Sequence, residues 1–188
     1  MSIDTVPMQE KLPIKDVVGA SLGSTIPTFQ VGDKAVYPAH GVGEVTGIEQ
    51  REILGKKHTF YILRILDNGM QIMVPTQNAL QVGLREVIDA AQVLEVFDVL
   101  RERGLTIDRN SWNRRYREYM DRIKTGSVFE VARVVRDLSL LKHNKELSFC
   151  ELKLLNTARL LLTKELAVAK NCDEQMIEDA FDRIFALR

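Results

Sequence analysis

Apolar and polar positions alternate in two different ways along this chain. Between residues 28 and 76, short β-rich runs are separated by Gly, Pro and Asn: Phe29–Val31, Ala35–Tyr37, Gly43–Ile53, Thr59–Leu66 and Met70–Val74. Such runs, bounded by turn residues, predict strands. Asp67-Asn-Gly69 lies between two of them and predicts a hairpin with positive φ at both turn positions. Gly55-Lys56 predicts a second turn, and Pro75 is expected to close the last strand, because it cannot donate to a ladder. Strands this short can share a core only if the sheet curls into a small barrel.

From residue 84 to 188 there is no proline, and the period becomes helical. A first helix is predicted over about 89–101, with Val93, Leu94, Phe97 and Leu100 on one face. A loop follows at 102–110. A second helix is predicted over about 111–125, where Trp112, Tyr116, Tyr119, Met120 and Ile123 form the stripe, and Gly126 ends it. Ser127-Val-Phe-Glu130 and Ser148-Phe-Cys-Glu151 both read as capping boxes that open helices. The long helix after Ser148 carries Leu152, Leu155, Leu162 and Leu166. A last one follows Asp173, with Met176, Ile177, Ala180, Phe181 and Ile184 facing inward. Five helices with short loops predict a compact all-α bundle. The expected fold class is therefore α+β, a small barrel followed by a helical bundle. The expected parts are a flexible tail over 1–27, a β domain over 28–82 and a helical domain over 83–188.

Charge changes this picture in one place. The chain has 188 residues with 26 Lys+Arg and 26 Asp+Glu, so bulk positive charge cannot hold it to nucleic acid. The balance is local: residues 101–145 carry 12 basic and 6 acidic side chains, and 9 of the 12 are arginines. Arginine favours bidentate phosphate contact; a solvated helix face is the equally available alternative. Few Asn or Gln stand among these arginines, so base-edge reading is not expected. Cys150 and Cys172 make neither a disulfide framework nor a zinc site, and both are expected reduced. No transmembrane run and no secretory leader is evident. A cytoplasmic, nucleoid-associated protein is expected.

Catalytic motifs are missing. His40, His58 and His143 have no metal-ligand spacing, and there is no HExxH or GxxxxGK[ST]. Gly41-Val-Gly43 lacks the third glycine and the helix of a dinucleotide loop. No GxSxG elbow occurs. No enzymatic activity and no cofactor are expected.

The stretch Phe29-Gln-Val-Gly-Asp-Lys-Ala-Val-Tyr-Pro-Ala-His-Gly-Val-Gly43, with Met73-Val-Pro75, Trp112-Asn-Arg-Arg-Tyr116 and Val131-Ala-Arg-Val-Val-Arg-Asp-Leu138, closely resembles the CarD/CdnL family of bacterial transcription regulators. The first stretch is shared with the polymerase-interaction module of transcription-repair coupling factors, whereas the last two separate the families. The resemblance implies a Tudor-like barrel that binds the RNA polymerase β subunit. It implies a helical domain that contacts promoter DNA at the upstream edge of the bubble and favours the open complex. It matches the family's polymerase-binding pair to Arg51 and Ile53. A second family arginine falls on Met73, a departure that suggests a more apolar contact. The wedge tryptophan matches Trp112, and the basic residues after it match Arg114, Arg115 and Arg117.

The residues themselves leave two of these roles open. Trp112 lies on the apolar stripe of its helix, where a packed core aromatic is the plain reading. It also sits in the first turn before a basic cluster, where a ring can wedge beside a distorted base step. Ile53 can pack in the barrel or lie on an exposed strand edge that extends a partner's sheet. The expected partners are the polymerase β subunit and promoter DNA, bound largely without sequence choice, with no membrane and the protein acting as a monomer. The alternative is a protein–protein adaptor whose helical domain binds another regulator.

Overall fold

The computed structural model describes residues 28–103 and 112–186. The expected tail over 1–27 and most of the expected loop over 102–110 lie outside these residues. The chain runs β1 (Lys34–Tyr37), β2 (Gly41–Ile53), β3 (Lys56–Ile65), β4 (Gln71–Pro75), a short 3-10 turn (Thr76–Asn78), β5 (Arg85–Glu86), then α1 (Ala90–Arg101), α2 (Trp112–Lys124), α3 (Val128–Asn144), α4 (Phe149–Lys170) and α5 (Glu174–Ala186). The class is α+β, as expected.

The strands form one antiparallel sheet in the order β4-β3-β2-β1-β5. The expected barrel is not closed: β4 and β5 are the two outer strands and do not pair with each other. Pieces outside the ladder fill the open side instead. Phe29, Ala79 and Leu84 join Ala35, Val45, Tyr61, Leu63, Ile65 and Val74 in one core. Phe29 stands edge-on to Tyr61 with centroids 5.7 Å apart. Its segment, expected as a strand, is a turn, in which the Gln30 amide donates to the Asp33 carboxylate at 2.7 Å. β5 spans two residues, opposite Ala35 and Val36, and is too short to show alternation in a sequence.

The two hairpin turns differ from their expected types. Asn68 is not at positive φ; only Gly69 is, at 69°. The loop closes with the Ile65 amide on the Met70 carbonyl at 2.9 Å, and the Asn68 side chain accepts from the Met70 amide. The primed geometry falls at Leu54-Gly55, where φ is 52° and 75°. Both turn positions are left-handed there, as the right-handed twist of a tight hairpin demands.

The helical part packs α3 against α1, α2 and α4, and α4 against α5. Val96, Leu100, Val134, Val135, Leu138, Leu162, Leu166 and Phe181 are at its centre. Ser148 and Glu151 form the expected reciprocal capping box. Ser127 caps α3 without a side-chain bond; its amide donates to the Thr125 hydroxyl at 3.2 Å, and Glu130 pairs with Arg133 and Arg122. Several residues expected on the apolar stripes face out, Tyr116 and Leu152 among them. Leu94 is 67% exposed and Met176 also lies on the surface, since the buried stripes run through Val93, Val96, Phe97 and Leu100, and through Ile177, Phe181, Ile184 and Phe185.

Sheet and helices share a packed boundary. Val36 and Val42 are buried, and Val36 faces Leu161 and Leu162 of α4 across a small apolar crevice. Arg85 of β5 crosses this boundary. Its guanidinium meets Glu165 of α4 twice, at 2.5 and 2.9 Å, and its Nε donates to the Gly126 carbonyl at 2.8 Å. Pro38 lies against Gly126, where a Cβ would stand 2.8 Å from the proline ring. Gly126 at φ 74° therefore both ends α2 and admits the β1–β2 turn. Among the described residues, no helix is long and apolar enough to cross a membrane.

Candidate functional site

Two separate surfaces carry the residues singled out in the sequence. The first is the β2–β3 ribbon. β2 pairs with β1 only over Gly41–Glu44, whereas its pairing with β3 continues, past a bulge between Val45 and Gly47, to Ile53. Among the described residues, Gly47–Ile53 thus have a strand neighbour on one side only. Arg51 pairs with His58, Ile53 with Lys56, and Ile62 with Met73 on β4. Paired residues share a face, and positions 56, 58 and 62 alternate onto the same one. The structure therefore brings Arg51, Ile53 and Met73 to one face of three adjacent strands. Ile53 is 47% exposed and takes no part in the core, and Met73 is also exposed. Arg51 is extended along the surface by Glu49, which accepts from its Nε at 3.1 Å and its NH2 at 2.8 Å.

The second surface is the start of α2. Trp112 is its first residue. The indole is partly buried against the helical core and lies 5.5 Å from the Tyr116 ring. It is neither enclosed nor fully displayed. Below it, burial, followed by the nearby Asp137 carboxylate, pushes the Tyr119 phenol up to about 12.

The three arginines after Trp112 do not share a role. Arg114 and Arg117 are on the exposed side, one helical turn apart, and Arg114 reaches Glu118 at 3.2 Å. Arg115 turns inward to Glu151 at 3.3 Å, and its Nε is buried with no hydrogen-bond partner. Elsewhere in the basic segment, Arg122 spans Glu130 and Asp137, Arg133 pairs with Glu130, and Arg136 pairs with Glu102 and Asp137. Among the described residues, Arg117, Lys124 and Lys142 make no ion pair, so the free positive charge is smaller than the sequence count.

Glu151 is the residue that sequence reasoning undervalued. It is 2% exposed. It accepts from the Ser148 amide and hydroxyl at 2.8 Å and from Lys145 at 3.0 Å, while holding Arg115 of α2. Its cap role was readable from Ser148; its hold on α2 needs the fold. Burial alone would push this carboxyl up, but the Ser148 and Lys145 donors outweigh that and hold it below its ordinary 4.5. A depressed carboxyl contributes stability above its unfolded value, and that contribution is lost as pH falls through the folded one. Glu151→Gln is therefore expected to melt below the wild type at neutral pH, with the gap closing on acidification below 4.5. Thermal melts of both proteins across that range check this, and a gap independent of pH contradicts it. Among the described residues, no three His, Cys, Asp or Glu side chains cluster as metal ligands.

Residues 29–88 match the family model described as the CarD-like/TRCF RID domain. Residues 95–182 match that of the CarD C-terminal domain. A Bacillus subtilis (strain 168) protein named "Putative transcription factor YdeB" is 37% identical over 150 residues, covering 80% of this chain and 97% of that protein. A solved structure titled "CdnLNt from Myxoccoccus xanthus" is 55% identical, covers 36% of this chain and 94% of its own, and superposes with a TM-score of 0.29.

Proposed function

This chain belongs to the CarD/CdnL family, and from that membership we propose that it is a non-catalytic transcription regulator acting at promoters. The β2–β3 ribbon binds the RNA polymerase β subunit, and the start of α2 meets promoter DNA at the upstream edge of the bubble, which favours the open complex. The observation that carries this is the gathering of Arg51, Ile53 and Met73 onto one exposed face beside a strand edge that no described strand covers. Such an edge extends a partner's sheet, and the side chains on that face select the partner.

On the DNA side, Arg114 and Arg117 hold phosphates, and Trp112 rests on the opened base step. Arg115 is left out of direct contact, because Glu151 already engages it. With little free charge, affinity for bare duplex is low. Anchoring to polymerase raises the local concentration of DNA around α2.

The test is the lifetime of open complexes formed with the full-length protein and polymerase. Trp112→Ala is expected to keep β binding and shorten the lifetime about 5- to 150-fold, by analogy with base–aromatic stacking of about 1–3 kcal/mol. Equal lifetimes sink the wedge role. Raised salt should weaken binding to forked promoter DNA more steeply without polymerase than with it.

A second reading has its own observation. Phe149, Leu152 and Leu160 are exposed along α4, which suits a helical domain that docks a protein. That reading predicts helical-domain binding that is indifferent to salt and to DNA.

A further inference from the structure

The tip of the β2–β3 ribbon is built against its own local preference. Leu54 and Gly55 form the two-residue turn, both at positive φ. That geometry favours Asn-Gly or Asp-Gly, because a side chain with a Cβ crowds the following carbonyl unless it can bond locally. Leucine gains nothing locally, and at 98% exposure it gains no burial either. One residue thus carries a backbone cost and an exposed apolar side chain, with no return inside the free protein. A broken local rule of this kind is where a functional contact is to be sought.

Its neighbourhood defines what would cover it. Among the described residues, Gly47–Ile53 lead directly to the tip and pair on one side only, so the fitting occupant is an extended strand running along that edge. The charges beside the tip, Glu52, Lys56 and Lys57, leave a net of +1. The tip residue itself offers a partner only an apolar side chain. We propose that Leu54 is the apolar anchor of the polymerase contact, filling a pocket at the end of an exposed strand of the β subunit; this rests on the β-binding reading above.

The experiment measures affinity of the full-length protein for purified β subunit, together with thermal melts, for wild type, Leu54→Asn and Leu54→Met. Asparagine suits the turn, so Leu54→Asn should melt about 2 °C higher. It should bind β about tenfold more weakly, as expected for a lost buried leucine. Leu54→Met should bind within about twofold of wild type. A gain in stability with a loss of binding cannot come from misfolding. Wild-type affinity in Leu54→Asn overturns the anchor alone, whereas failure of the wild type to bind β overturns the anchor and the reading beneath it. A lower melt for Leu54→Asn also overturns the anchor, because the leucine would then serve the free fold. So does a wild-type dimer in sedimentation equilibrium that Leu54→Asn abolishes, since the tip would belong to a second copy.

Discussion

Arg51→Glu is expected to lose capture of the RNA polymerase β subunit while the protein stays folded. The guanidinium is half exposed at the outer end of the ribbon, where residues 47–58 supply nothing to either core, and its partner is the equally exposed Glu49. An exposed pair of this kind is worth about 0–1 kcal/mol, so the melt should barely move. Binding is different. Reversal sets two carboxylates, at 49 and 51, on the face proposed to meet the partner, with Glu52 next to them on the opposite face. Juxtaposed like charges in an interface cost several kcal/mol, which is a loss of at least a hundredfold. Met73→Arg is a useful companion, because it places a cation on the same face without touching the core. Pull-down of β by a folded Arg51→Glu protein would reject this face.

The second large effect concerns the boundary between sheet and helices. Glu165→Ala is expected to destabilise the protein by about 3 kcal/mol, because removing one member of a buried pair strands the other. The lower end of that range applies, since Arg85 keeps 29% side-chain exposure and a bond to the Gly126 carbonyl. The melt should fall by roughly 6–12 °C. Replacing both partners, as Arg85→Met with Glu165→Leu, should restore most of the loss, because an apolar pair avoids the cost of dehydrating two charges. Urea denaturation of the single and double variants measures this. A double variant as weak as the single one would show that the bond to Gly126, and not the ion pair, holds the boundary. The same contact ties the sheet that carries the β2–β3 ribbon to α4 and to the end of α2. Glu165→Ala should therefore also shorten open-complex lifetime with Trp112 and Arg51 intact.

Local chemistry made much of the fold readable. The Ser148–Glu151 box, the glycine after α2 and, Leu94 apart, the stripe from Val93 to Leu100 depend on neighbours within a turn or two, and they behave as their spacing indicates. Errors arose where another group competed. The Ser127 amide is taken by Thr125, and Glu130 pairs with Arg122 and Arg133 instead of closing the box. Phe29 has strand-like neighbours, yet the gap beside Tyr61 takes its ring and the backbone turns. β5 exists only because β1 offers it a partner.

The candidate surfaces divide in the same way. Trp112, Arg51 and Ile53 were singled out as candidates through the family resemblance. That Arg115 points inward was not legible, because an i,i+1 neighbour on a helix is rotated onto another face and its partner Glu151 is a long way along the chain.

Taken alone, the order of residues determined the α+β class, most element boundaries and the family, since these follow from periodicity, turn chemistry and motif. Tertiary structure decided how the sheet is completed, which cations remain free and which strand edge is left open. Those outcomes depend on which far-apart groups meet, and burial and ion pairing take effect only once they do.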